Sequence, residues 1–286
     1  MIRSTTLLGI LFAVISLTAR AEPAMWVIKD ADSTIYLIGT LHLLKRDTEW
    51  NSEKVKKCVR ESTELWLEIT DFDDKTTMAA LLAKFGLDPQ HPLSTKLNDD
   101  QRKRLEKVAT TYGIPVASLE PMRPWLAAVL LSAGPLTKAG YDPKSGVERI
   151  LVAQATAEGD KIRGLETAED QFRIFADLGE AEQIAFLEST MDDVEKGIEL
   201  LDRLAKAWVD GDIAAIERTG LDEMRTKEPA VYDKLVVQRN TAWAEKIAGM
   251  LKGSGVEQIA VGALHLVGPD SVQAQLAKRG IKAERY

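Results

Sequence analysis

Two of the three histidines in this chain close the same phrase. Ile35-Tyr36-Leu37-Ile38-Gly39-Thr40-Leu41-His42 stands near the start, and Gln258-Ile259-Ala260-Val261-Gly262-Ala263-Leu264-His265 near the end. Each is an apolar, strand-like run followed by Gly-x-x-His. The two imidazoles are more than two hundred positions apart, so only the fold can bring them together. Neutral imidazole is the commonest side-chain metal ligand and an acid–base group near neutral pH. Two such histidines on neighbouring strands could converge on one metal ion or one substrate. The competing reading is two core histidines at strand ends, each hydrogen-bonded to backbone.

Other residues could complete such a site. Glu68 falls near the carboxyl end of the run Glu64-Leu65-Trp66-Leu67-Glu68-Ile69. Among apolar neighbours it is either a metal ligand or general base, or an acid facing outward from an edge strand. Two histidines with one carboxylate match the ligand type of hydrolytic metal sites that keep a position open for water. No HExxH occurs, which excludes a zincin. Arg239 and Asn240 are adjacent in a helical pattern, so both are not expected to face the core. They read as a surface pair, or as a polar edge in which Arg239 clamps an anion. Glu148 follows Gly146-Val147 at a helix start, where the helix dipole alone accounts for an acid. His91, in Asp88-Pro89-Gln90-His91-Pro92, reads as a loop residue. The single cysteine, Cys58, reads as a small buried residue, and its count excludes an internal disulfide or a Cys-based cluster.

The elements that must position these groups follow from periodicity and turn chemistry. Runs at 25–29 and 33–39, split by Asp30-Ala31-Asp32-Ser33, predict a β-hairpin leading to the first Gly-x-x-His. A helix at 52–62 and a strand at 64–69 complete a βαβ-type unit. Helices are predicted at 75–85, 99–112, 124–131, 146–158, 168–177, 180–209, 212–218 and 230–251, with a strand near 161–165. In 180–209, Ile184, Leu187, Met191, Val194, Ile198, Leu201 and Leu204 mark one apolar stripe. The end returns to α/β: a strand at 257–261, a helix opened by Pro269 and running to 278, and a last strand at 281–286. The predicted fold is α/β (mixed α+β). A central sheet is built from N- and C-terminal βα units, each ending in Gly-x-x-His, with a helical insertion at about 75–255. Ligand sites in open α/β sheets gather beyond the carboxyl ends of the strands, where Gly39 and Gly262 would allow a sharp or positive-φ turn and close backbone approach.

Composition narrows the function classes. Residues 1–21 read as a cleavable secretory signal: basic Met1-Ile2-Arg3, an apolar stretch at 7–17, then Ala19-Arg20-Ala21. Residues 22–286 then form a single domain, periplasmic or secreted. No second apolar run is long enough to span a bilayer. The net charge of −7 becomes more acidic once Arg3 and Arg20 are removed, and gives no footprint for nucleic acid or an anionic membrane.

Taken in order, several phrases resemble the TraB/GumN family, which includes the Tiki proteins. They are Gly39-Thr40-Leu41-His42; Leu65–Ile69 with Glu68; Met122-Arg123-Pro124-Trp125; Gly146-Val147-Glu148; Gly164-Leu165-Glu166-Thr167; Gln238-Arg239-Asn240 with Trp243; and Gly262-Ala263-Leu264-His265-Leu266-Val267-Gly268. The likeness is greatest to the exported bacterial GumN-like branch. It implies a fold related to the erythromycin-esterase and ChaN-like group. It also implies a manganese- or cobalt-dependent peptidase, with zinc as a further choice of ion. His42, His265 and Glu68 would lie at the metal centre, with Arg239 and Asn240 beside it in catalytic roles. The family usually has Glu-Arg-Asn where this chain has Gln238-Arg239-Asn240.

The expectation is an exported metal-dependent hydrolase acting on a peptide or small molecule. The alternatives are a non-catalytic protein of the same fold that binds haem, metal or a small ligand, or an exported scaffold that uses its helical layer as a partner surface.

Overall fold

The computed structural model describes residues 22–286; the leader read at 1–21 lies outside the described residues. The strands are β1 (Met25–Lys29), β2 (Ser33–Thr40), β3 (Leu44–Lys45), β4 (Glu64–Leu67), β5 (Tyr141–Asp142), β6 (Lys161–Gly164), β7 (Gly255–Gly262) and β8 (Glu284–Arg285). Six of them form one sheet in the order β6-β4-β7-β2-β1-β8, and β3 pairs with β5. β6, β4, β7 and β2 run parallel. β1 is antiparallel to both its neighbours. This is the mixed α/β fold expected, with a mostly parallel sheet. The two Gly-x-x-His strands are immediate neighbours: Gly39 lies opposite Val261 and Thr40 opposite Gly262.

Local chemistry explains the framework. The Asp30 carboxylate accepts from the backbone N–H groups of Asp32 and Ser33, which fixes the β1–β2 turn. Ser52 caps the helix Glu53–Glu61, whose buried stripe is Val55, Cys58 and Val59. β2 and β7 read as near-continuous apolar runs because both faces of a parallel sheet are covered. Val27, Tyr36, Ile38, Leu65 and Leu67 pack on one face. Trp26, Leu37, Ile259 and Val261 pack on the other, against Trp243 and Ile247.

The helical layer is tied to this sheet by the helix Glu180–Val209. Leu187, Met191 and Val194 bury in the helical core, whereas Ala207 and Trp208 bury in the sheet core. Trp208 Nε1 donates to the Gly39 carbonyl at 2.8 Å. Ile198, on the predicted apolar stripe, is instead exposed.

Several boundaries differ from expectation. The helix predicted at 230–251 is three pieces: Pro229–Tyr232, a π-helical stretch Asp233–Gln238, and Arg239–Met250. The helix at 75–85 likewise passes into a π-helical stretch, Leu82–Gly86, and that at 124–131 runs on to Lys138. Pro269 does not open its helix. Gly268 takes φ +80°, and Ser271 caps the helix Val272–Ala277. The strand expected near 161–165 does form, as β6, and it extends the main sheet from within the helical insertion. Short helices at Leu93–Lys96, Val116–Leu119 and Asp222–Lys227 went unread, being too short to show periodicity.

Candidate active site

Four adjacent parallel strands each deliver one side chain just beyond their carboxyl ends. β2 is followed by His42, β7 by His265, β4 by Glu68 and β6 by Glu166. Across the sheet the order is Glu166, Glu68, His265, His42, so groups far apart in sequence become neighbours by strand order alone. Gly39 and Gly262 do not have positive φ, contrary to one of the roles expected of them. Their contribution is close approach. A Cβ on Gly39 would lie 3.0 Å from Ala263 Cα, and one on Gly262 would lie 3.2 Å from Glu68 Oε1.

The state of His265 follows from its neighbours. The side-chain nitrogen of Asn240 donates to the carbonyls of His265, at 3.3 Å, and Asp270, at 2.8 Å. Asn240 Oδ1 therefore accepts, and His265 Nδ1–H donates to it at 2.7 Å. Nε2 is left with a lone pair, which accepts from Arg239 Nη1 at 2.9 Å. Burial, together with the Arg239 charge and against the pull of Glu68, holds the imidazole at a pKa of about 3, so it is neutral. The ring packs on Trp243 with centroids 4.6 Å apart, and the Arg239 guanidinium lies over the same indole at 4.5 Å.

Arg239 and Asn240 are both buried, which corrects the expectation that adjacent helical residues could not both face inward. They open the helix Arg239–Met250 directly after the π-helical stretch. The roughly 100° between successive residues points Asn240 at the His265 turn while the long arginine reaches the strand ends.

Glu68 sits at the centre. Its Oε1 accepts from the Gly262 N–H at 2.7 Å and lies 3.9 Å from His265 Nε2. Its Oε2 accepts from Arg239 Nη2 at 2.6 Å and Gln171 Nε2 at 3.0 Å. Burial alone would raise this carboxyl, but Arg239, the two histidines and the Gly262 N–H outweigh burial and hold it at about 2. Arg239 is shared with Glu166, which accepts from Nη2 at 2.6 Å and from Nε at 3.1 Å. Gln171 bridges the two acids, donating to Glu166 Oε1 at 2.9 Å.

His42 is more open, with 68% of its side-chain surface exposed to the cavity in front of the strand ends. Its Nδ1 lies 2.7 Å from Glu148 Oε1, which also accepts from Thr40 Oγ1. Desolvation by the surrounding walls opposes protonation, but the Glu148 hydrogen bond and charge prevail and raise His42 to about 9. The helix Val147–Glu158 presents Glu148 because Val147 N–H donates to the Leu41 carbonyl at 3.0 Å. Gly146 lies against the His42 carbonyl, where no Cβ would fit. The β3–β5 pair fastens the segment after His42 to the segment before Gly146.

Thus Glu68, Arg239, Asn240 and His265 form one contact cluster, and His42 lines the cavities in front of it. Three further members were missed as site residues. Glu148 was credited to the helix dipole. Glu166 stands in the sequence only as part of the phrase Gly164–Thr167, and no pattern marks Gln171, although Glu166 follows a strand end as Glu68 does. His91 is exposed and pairs with Asp88 at 3.0 Å. Cys58 is buried and free.

The donor chemistry suits a divalent ion. Each Nδ1 is fixed by an oxygen acceptor, the usual outer-shell arrangement of metal-binding histidines, which leaves each Nε2 as the candidate ligand atom. As the side chains stand, however, no three His, Cys, Asp or Glu residues among the described residues are placed to hold an ion. In addition, Arg239 Nη1 occupies the His265 Nε2 lone pair.

Fold and site together define an α/β protein with a buried Glu–Arg–His centre, assembled from two Gly-x-x-His turns on adjacent parallel strands. The chain belongs to the TraB/PrgY/gumN family, whose model matches residues 24–285. It is 25% identical over 254 residues to the uncharacterized protein YbaP of Escherichia coli (strain K12), covering 89% of this chain and 92% of that protein. An uncharacterized protein of Treponema pallidum (strain Nichols) is 23% identical over 280 residues, covering 93% and 84% respectively. No solved structure matches the chain. No helix among the described residues is long and apolar enough to cross a membrane.

Proposed function

We propose that the chain is an exported metal-dependent hydrolase with peptides as its substrate class. The observation that carries this reading is the matched treatment of two imidazoles at neighbouring strand ends. Glu148 and Asn240 each engage an Nδ1, which leaves each Nε2 as the candidate ligand atom; His265 Nε2 lies 3.9 Å from Glu68 Oε1, and His42 lines the same cavities as Glu68. A divalent ion held by His42, His265 and Glu68 (manganese or cobalt, with zinc as a further choice) would polarise a carbonyl and lower the pKa of a bound water. Glu68, ionised at neutral pH, would help hold the ion or accept a proton at its carboxylate. Arg239 is desolvated and permanently charged, but its N–H groups are committed to Glu68, Glu166, His265 and the Leu235 carbonyl, so it would meet negative charge developing on a carbonyl oxygen only by releasing one of them. Asn240 keeps His265 in the tautomer whose Nε2 can bind. Export rests on the basic, apolar and Ala-x-Ala pattern of residues 1–21.

One observation favours a second reading, that of a protein binding metal, haem or a small ligand without turnover. Arg239 already satisfies His265 and Glu68 without any ion. Peptide-library digestion with manganese, cobalt, zinc or chelator, alongside His42→Ala and His265→Ala, separates the two. Metal-dependent cleavage lost in both variants supports the hydrolase, and cleavage that survives both sinks it. Stoichiometric metal or haem uptake without cleavage selects the second reading. Fractionation of producing cells tests export, with the processed chain expected outside the cytoplasm.

A further inference from the structure

Two cavities meet at His42 and Glu68. One, of about 360 Å³, is walled by Leu43, Leu67, Ile69, Phe72 and Pro143. The other, of about 500 Å³, is walled mainly by Val129, Ile174, Leu204, Met224, Leu235 and Leu264. Both lie within the roughly 300–1,000 Å³ usual for ligand sites. They share three lining residues, His42, Glu68 and Gln171. Polar chemistry therefore forms a seam with an apolar lobe on each side. The first lobe is braced: Arg149 holds Asp73 through two hydrogen bonds, at 2.8 and 2.6 Å, and lies over Phe72.

The charges on the walls add a second constraint. Glu148 is paired with His42, Arg149 with Asp73, and Arg239 with Glu166 and Glu68. Every charged side chain lining either lobe away from the seam is thus already engaged, and His42, whose Nε2 stays open, lies on the seam itself, which leaves none of them to grip a free amino or carboxyl terminus beyond it. An exo-acting site needs such a grip, because the terminal charge must be paired when it leaves water. A compact ligand would fill one lobe and leave the other unused.

We infer that the site takes an extended chain running through it, with an apolar side chain in each lobe and the reacting bond, remote from either end of the chain, over the seam. The bond's fate at the seam rests on the hydrolase reading; the two-sided binding does not.

The test is calorimetric titration of the full mature chain, with and without metal, using an end-capped peptide with leucine on both sides of a central reduced, uncleavable bond. Val129→Glu disturbs one lobe and Leu43→Glu the other. Val129 is 41% exposed and Leu43 is partly exposed, so both variants should fold, as circular dichroism will verify. Each substitution is expected to weaken binding roughly tenfold, as losing one buried apolar side chain would. Loss confined to one lobe overturns the inference, as does tighter binding of the same peptide with its ends uncapped. Two-sided binding by a protein that cleaves nothing upholds the inference and removes the hydrolase.

Discussion

Arg239 Nη1 donates to His265 Nε2 at 2.9 Å, on the one lone pair through which that histidine could bind a metal. The guanidinium joins His265, Glu68 and Glu166 in one buried cluster. Arginine and metal ion should therefore compete. Arg239→Met is expected to bind manganese or zinc at least about tenfold more tightly than the unaltered chain, since it frees the lone pair and leaves two carboxylates uncompensated. Competition against a chromophoric chelator measures this. Weaker binding in the variant would mean that the arginine supports the ion.

The same cluster holds the fold together. Removing one partner of a buried ion pair strands the other charge, at about 3–5 kcal/mol. Arg239→Ala and Glu68→Ala should each lose that much in urea unfolding without metal. Glu166→Ala should lose less, because Arg239 keeps Glu68. Equal losses at all three positions would show that the acids are not ranked as their contacts rank them.

Acid should unfold the protein early. Glu68 sits at about 2 in the fold against an ordinary 4.5, so its contribution is present above 4.5 and is lost as pH falls toward 2. His265 sits at about 3 against 6.5, so below 6.5 the unfolded chain takes up a proton that the folded chain refuses. Both effects lower stability in the same direction. His265→Gln should flatten the stability profile between pH 6.5 and 4.5, as urea midpoints across that range will reveal.

The His42 turn depends on a glycine outside its own motif. In Gly146→Ala the added Cβ would meet the His42 carbonyl, and relieving that contact should cost about 1–3 kcal/mol. As the helix start backs away, Glu148 loosens from His42. The imidazole should then titrate well below 9, which NMR can follow, and Glu148→Gln should produce the same fall without the steric cost. An unmoved titration in both variants would leave the high value without its cause.

The sequence by itself determined the strands and the groups they carry. Parallel strands covered on both faces must be apolar throughout, so the runs before Gly39 and Gly262 were legible. So were the turn at Asp30–Ser33 and the thirty-residue helix Glu180–Val209, whose bounds the structure reproduces. The two histidines, Glu68 and the Arg239–Asn240 pair stood out as residue types in unusual places. Tertiary structure alone decided which of them meet, because strand order sets β7 between β2 and β4 and no local pattern encodes that order. It also decided the partners. Glu148 looks like any acid at a helix start until the packing of Gly146 on His42 brings it to the imidazole. Adjacent Arg239 and Asn240 both turn inward only because a π-helical stretch delivers the helix end to the strand ends. Local periodicity suggests which face a residue takes, and at Ile198 and at the Arg239–Asn240 pair tertiary contacts override it. What waits opposite that face, here an arginine where an ion was expected, depends on contacts between segments far apart in the chain.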